Sequence, residues 1–192
     1  LAAALFLPLN AHALNYTGTQ KNQASFETLE EARANAPAAV AAIDGNGSRT
    51  YKSHPALDGI PKGTVFIYRS ANMFGGRAAA RMNTMLMVFA DKPFASKEAA
   101  QQYLTDLGVI KIVDEAIGSA VLVTPADGKA FGAADQKYYY GLQTAMFAQK
   151  ASERGGRGAP GYADGEYFGG FSNLYVVGID GGATYLNNYI AG

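Results

Sequence analysis

Cysteine is absent from the 192 residues, and histidine occurs only at His12 and His54. The lack of cysteine excludes a thiolate nucleophile and Cys-ligated zinc. His54 stands alone in the loop-like segment "KSHPALDGIPKG", so the sequence offers no cluster of histidine ligands. We therefore expect neither a bound metal nor any other cofactor.

An excess of charge of either sign is also missing. Sixteen Lys and Arg residues balance sixteen Asp and Glu residues, which gives a formal net charge of zero. Proteins that bind nucleic acid or anionic membranes through their overall charge are strongly basic, so neither is expected as the main partner. With 48% apolar and 17% charged residues, the composition is typical of one globular domain.

The first residues have the pattern of an export signal. Residues 1–9, "LAAALFLPL", are almost wholly apolar, and "AHA" at 11–13 has the small-x-small form of a signal-peptidase site. Nine residues are too few to span a bilayer. We interpret 1–13 as part of a bacterial signal peptide and expect a periplasmic or secreted protein without an integral membrane segment in the mature chain. A buried N-terminal helix is the alternative.

The rest of the chain divides into two parts. Residues 14–62 form an N-terminal extension or the first strands, and Ser25 is a candidate cap for a short helix in this part. From residue 63 onward, strands and helices alternate. Apolar, β-branched runs predict strands at 64–70, 83–91, 119–125 and 173–179. Helical spacing predicts helices at 97–107, 133–153 and 183–192, the first capped by Ser96 and stopped by Gly108.

This alternation predicts an α/β fold, a three-layer sandwich with a mostly parallel sheet. In such folds the functional groups lie at the carboxyl ends of the strands. Tyr138, Tyr139 and Tyr140 are consecutive on a predicted helix, so they point in different directions, and we expect them mainly to pack in the core.

The turn after the last strand carries the clearest motif. In "VVGIDGGATYLNNYIAG" the spacing G-x-Asp-x-G places Gly178 and Gly182 around Asp180. This arrangement, at the end of a strand and before a helix-like stretch, resembles the nucleophile turn of the α/β-hydrolase superfamily, particularly secreted esterases and polyester depolymerases. The resemblance covers residues 63–192 and implies the N-terminal part of such a domain, truncated after the helix that follows the turn.

The resemblance also implies a role for each residue of the turn. Gly178 and Gly182 are the small flanking residues that a sharp strand-to-helix turn requires, and the N–H of Gly181 is one half of an oxyanion hole. Asp180 takes the position usual for serine, as in the haloalkane dehalogenase and epoxide hydrolase branches, where the carboxylate forms an ester intermediate. Strand 83–89 leads to the oxyanion loop, whose N–H donors are those of Asp91 or Lys92.

The expected function is hydrolysis of an ester or related bond in a small-molecule or polymeric substrate, with Asp180 as nucleophile. The acid and histidine partners of the family follow the turn in sequence and would lie beyond residue 192. Two alternatives remain. In a catalytically inactive member, Asp180 would only cap the next helix. In an actin/sugar-kinase-type domain, which "GIDGGAT" also resembles, the glycines would contact ATP phosphates and a strand would follow the turn.

Overall fold

The computed structural model describes residues 24–34, 57–71, 84–116, 118–147 and 173–189. Residues 29–34 are helical. The other elements, in chain order, are β1 Ser25–Thr28, β2 Val65–Arg69, β3 Thr84–Ala90, α1 Lys97–Asp106, α2 Val109–Glu115, β4 Gly118–Val123, α3 Asp135–Phe147, β5 Asn173–Ile179 and α4 Gly181–Tyr189.

The five strands form one mixed sheet in the order β1-β2-β4-β3-β5. β3 is parallel to β4 and to β5, whereas β2 is antiparallel to β1 and to β4. The α/β character of the prediction is confirmed. The mostly parallel sheet needs correction, because two of the four pairings are antiparallel. Sequence periodicity shows where strands lie but not the direction in which each one is paired.

Apolar side chains pack on both faces of the sheet, because successive residues of a strand point to opposite faces. α3 and α4 cover one face, and α1 and α2 cover the other. In β3, Met87 and Phe89 belong to the first face, whereas Val88 and Ala90 belong to the second. This arrangement explains why β3 and β4 are continuous apolar runs rather than alternating ones.

The N-terminal segment joins the sheet, and the predicted Ser25 cap is wrong. Ser25 begins β1, which pairs with β2 along the outer edge of the described sheet. The helical residues begin four positions later, and Thr28 makes a reciprocal cap with Glu31. The Thr28 N–H donates to Glu31 Oε2 at 2.9 Å, and the Glu31 N–H donates to Thr28 Oγ1 at 3.2 Å.

α1 begins as predicted, since the Ser96 hydroxyl accepts the Ala99 N–H at 3.2 Å. Gly108 adopts a positive φ of 73° and ends the first helix, but α2 starts directly after it. No described helix combines the length and the apolar character needed to cross a membrane. The predicted signal segment at 1–13 lies outside the described residues.

A buried ion pair connects β1 to β2. Arg69 is only 1% exposed, and its Nη1 donates to Glu27 Oε2 at 2.5 Å and to Ser25 Oγ at 3.3 Å. Removing one partner from such a pair takes away the opposite charge that compensates the buried one, which costs more than the intact pair contributes. The position of β1 therefore depends on a polar contact as well as on apolar packing.

We predict that Glu27→Leu lowers the free energy of unfolding by about 3–5 kcal/mol, because the Arg69 guanidinium stays buried beside an apolar side chain. Urea unfolding followed by circular dichroism measures the change. Asp58→Leu is the control. It breaks the Arg33–Asp58 pair, in which Asp58 is 68% exposed, and we expect a loss of less than about 1 kcal/mol. Equal losses in the two variants would contradict the buried-pair interpretation.

Three buried tyrosines predict a loss of stability at high pH. Burial is the main cause that raises the pKa of Tyr68, Tyr138 and Tyr185 above the ordinary value. In the unfolded chain these phenols ionise near pH 10, so above that pH the folded state binds more protons than the unfolded state. Unfolding free energy should therefore fall steadily above about pH 10. Absorbance at the tyrosinate band measures the ionisation of the phenols as the pH is raised. If the tyrosines ionised at the same pH in the folded and in the unfolded protein, the prediction would be refuted.

Candidate functional site

The turn after β5 and the loop after β3 meet at one edge of the sheet. β3 and β5 are parallel neighbours, and Ala90 pairs with Ile179 in the last register position. The next residues, Asp91 and Asp180, therefore leave the sheet side by side. The structure thus brings together the two segments that the sequence assigned to the candidate site.

The backbone of Asp180 makes the turn possible. Its φ is +51°, and it is the one non-glycine residue with positive φ among those described. Side chains tolerate this left-handed conformation poorly, although Asp and Asn tolerate it better than most. A non-glycine residue held in this conformation indicates a strained turn, and such strain is concentrated at functional sites.

Close approaches surround the three glycines next to Asp180, to main-chain atoms at Gly178 and Gly182 and to a side chain at Gly181. A Cβ on Gly178 would lie 2.4 Å from the Ala183 Cα, and one on Gly182 would lie 2.1 Å from the Phe89 carbonyl oxygen. A Cβ on Gly181 would lie 1.8 Å from Asp91 Oδ2. We call residues 178–182 the elbow. Its spacing therefore has the steric basis that the sequence predicted.

α4 begins immediately after Asp180. The main-chain carbonyl of Asp180 accepts the N–H groups of Ala183 and Thr184 at 3.0 and 3.4 Å. Within the described residues the Asp180 carboxylate accepts no hydrogen bond, so the side-chain cap proposed as an alternative is not observed. The side chain is exposed at the N-terminus of a helix, where unpaired N–H groups favour negative charge.

Asp91 has a structural role at this edge. Its Oδ1 accepts the Phe131 N–H at 2.9 Å, and its Oδ2 packs against Gly181. The carboxylate thus connects the end of β3 to the loop before α3 and to the elbow. It also places a negative charge beside the N–H group that the resemblance assigns to an oxyanion hole.

The main chain of Lys92 is occupied as well. Its N–H donates to the Ala90 carbonyl at 2.8 Å in a tight turn, so it already has an acceptor within the loop. The ammonium group extends instead over two aromatic rings, with Nζ 4.0 Å from the Tyr103 centroid and 5.3 Å from the Phe94 centroid. Lys92 therefore contributes its ammonium group to the candidate site, whereas its N–H is already hydrogen-bonded within the loop.

Aromatic side chains on both faces of the sheet flank this edge, and they were not predicted as site residues from the sequence. Phe94 and Tyr103 lie on one side, with centroids 5.1 Å apart. On the other side, Phe131 stacks on Tyr185 at 4.8 Å. Burial is the main cause that raises the pKa of Tyr103, and the negative charge of Asp180 is the second. The Tyr103 hydroxyl is therefore harder to ionise than an ordinary phenol. The only sequence signal was the position of these residues after apolar strands.

The consecutive tyrosines on α3 behave as their spacing predicts. Tyr138 and Tyr139 are buried, and Tyr140 is 50% exposed. On α4 the buried residues are Gly182 and Tyr185. Within the described part of the chain, the buried Tyr185 hydroxyl has no hydrogen-bond partner.

Two further findings concern the alternatives. A helix, not a strand, follows the elbow. This is the arrangement that the hydrolase resemblance predicts, whereas the kinase phosphate loop predicts a strand.

The described residues contain no group of three or more metal-ligating side chains. His54 lies outside the described residues.

We predict that Gly182→Ala lowers the free energy of unfolding by roughly 1–3 kcal/mol or more, because the new methyl group overlaps a main-chain carbonyl that cannot move aside. Gly132→Ala is the matched control, since apart from its chain neighbours no atom of the described residues lies within 4 Å of its Cβ position. A surface change of this kind alters stability by only about 0.5 kcal/mol. Urea unfolding of both variants measures the difference. Similar stability in the two would show that α4 does not pack on β3 as closely as described.

Comparisons with protein-family models, with curated protein sequences and with solved structures give no significant match for this chain.

Proposed function

We propose that this chain is part of an α/β-hydrolase-like protein in which Asp180 attacks an ester or related bond. The observation that carries the proposal is the conformation of Asp180, which is left-handed and exposed between a parallel strand and a helix. A nucleophile on a sharp, strained strand-to-helix turn projects its side chain away from the sheet, where a substrate can reach it.

The topology gives independent support. An α/β-hydrolase sheet likewise has its second strand antiparallel to the others and its third strand between the fourth and the fifth, as found for β1 to β5. In that family the loop after the third strand faces the nucleophile. Here the corresponding loop begins at Asp91, in contact with Gly181.

The chemistry of a carboxylate nucleophile follows from its charge. An oxygen of Asp180 attacks a saturated carbon, a new C–O bond forms, and the leaving group departs with the electrons of the broken bond. The product is an ester of Asp180, which water then hydrolyses. A base must take a proton from that water. The described residues contain no histidine, and in this proposal the base is a group outside them.

The contact between Asp91 and Gly181 bears on the first step of this route, and the oxyanion that forms when water later attacks the Asp180 ester needs donors other than the Gly181 N–H. Two unit charges 4 Å apart interact by about 4 kcal/mol at an effective dielectric constant of 20, so a substrate oxyanion beside Asp91 would be strongly opposed. Displacement at a saturated carbon places no oxyanion at that position in its first step. The preferred substrates are therefore small or polymeric esters in which the bond between the alcohol carbon and the ester oxygen can be broken.

A second candidate function is a non-catalytic binding domain with the same fold. The same Asp91 contact favours it, because a carboxylate occupying the wall of an oxyanion hole is also expected where catalysis has been lost. We further propose, from residues 1–13, that the protein is exported to the periplasm or secreted. Substrate turnover separates the two functional candidates.

We predict that Asp180→Asn abolishes the turnover of an ester whose alcohol carbon is saturated. Asparagine keeps the tolerance for positive φ but is a poor nucleophile, so the fold should be unchanged. Asp106→Asn is the control, because Asp106 is an exposed carboxylate of α1 that accepts the amide of Gln102 at 2.7 Å. Turnover by Asp180→Asn at the rate of the control would overturn the nucleophile role. Absence of turnover in every form would favour the binding domain.

A further inference from the structure

Lys92 carries an ammonium group that is held in place at the candidate site. Its Nζ lies over Tyr103 and Phe94, whose rings are tilted by 49° to one another. A cation over an aromatic face is attracted by the negative charge of that face, which restricts an otherwise flexible side chain. The rings therefore fix a positive charge just beyond the carboxyl end of β3.

This positive charge has no carboxylate partner within the described part of the chain. The described ion pairs at 4.0 Å or less join Arg33 to Asp58, Arg69 to Glu27 and Lys97 to Glu31. Lys97 illustrates the contrast, since it lies five residues further on and contacts Glu31 at 2.9 Å. The ammonium of Lys92 is thus positioned by rings that leave its charge available to an external anion.

Neither of the two nearby aspartates forms an ion pair with Lys92 among the described residues. Asp91 is directed towards Phe131 and Gly181. Lys92 follows Asp91, whose Oδ2 lies against Gly181, the residue next to Asp180, so the ammonium and the proposed nucleophile belong to adjoining segments of this edge. An anion bound to Lys92 would therefore lie at the same edge of the sheet as a group presented to Asp180.

We propose that the ammonium of Lys92, held over Tyr103 and Phe94, binds a free carboxylate of the substrate. The preferred substrates are then esters that keep one carboxylate, such as half-esters of dicarboxylic acids and acid-terminated oligomers of hydroxy acids. This choice of substrate class rests on the proposed function, whereas the binding of the anion does not.

The binding test uses the Asp180→Asn protein, so that no substrate is consumed. Monoethyl succinate is compared with diethyl succinate, which has the same carbon chain and one additional ethyl group in place of the charge. We expect the half-ester to bind more tightly by up to about fivefold, which is the upper end of the range for one exposed ion pair. Isothermal titration calorimetry gives both dissociation constants, and added salt should weaken only the binding of the half-ester.

Three further variants in the same background identify the residue responsible. Lys92→Met should abolish the preference for the half-ester, and Lys92→Arg should restore most of it, because arginine also stacks on aromatic rings. Lys111→Met is the control, since Lys111 is an exposed cation on α2. An unchanged preference in Lys92→Met, or no preference before substitution, would overturn the proposal.

Turnover by the unsubstituted protein separates this inference from the proposed function. Binding of the half-ester that depends on Lys92, without hydrolysis of either ester, would support the anion site and contradict the hydrolase. Hydrolysis of both esters at equal efficiency would support the hydrolase and overturn the anion site.

Discussion

The start of α4 lies directly against the end of β3, and the candidate site depends on this close approach. Gly182 faces the carbonyl of Phe89 with no room for a side chain, and Gly178 has no room beside Ala183. The chain must therefore reverse from strand to helix within a single residue. Asp180 makes that reversal with a positive φ, and its side chain is directed outward as a consequence.

The same approach gives the two aspartates opposite environments. Asp91 is bound to the Phe131 N–H and packed on Gly181, so its carboxylate serves the architecture. Asp180 is exposed, and only its main-chain carbonyl takes part in the described hydrogen bonds. A carboxylate without partners at a helix N-terminus is available for chemistry, whereas one that connects two loops is not. The ammonium of Lys92 completes the edge with the opposite charge.

Much of this arrangement is predictable from the sequence, because it depends on local patterns. The run "NLYVVGI" predicted β5 with its observed bounds, and Ser96 predicted the start of α1. The spacing of the elbow glycines predicted the sharp turn. α2 was missed, because Gly108 indicated an end and the β-branched residues that follow it are not typical of a helix. Packing against β4 and β3 outweighs that weak local preference.

The non-local contacts could not be predicted. The order of the strands, the antiparallel direction of β2 and the pairing of β1 depend on which segments meet in space. The same holds for the contact of Asp91 with Gly181 and for the position of Lys92 over Tyr103, which join residues 90 and 11 positions apart in the sequence. The sequence indicated that Asp91 and Lys92 follow β3, but it could not show which of their atoms would face the elbow.

The proposed nucleophile role requires that Asp180 becomes covalently attached to the substrate during turnover. A single turnover of the protein in water labelled with ¹⁸O, followed by mass analysis of the peptide that contains Asp180, is the direct measurement of this attachment. We expect one labelled oxygen to enter the Asp180 carboxylate, because water attacks the ester of that side chain. Label found only in the released product, with Asp180 unlabelled, would contradict it.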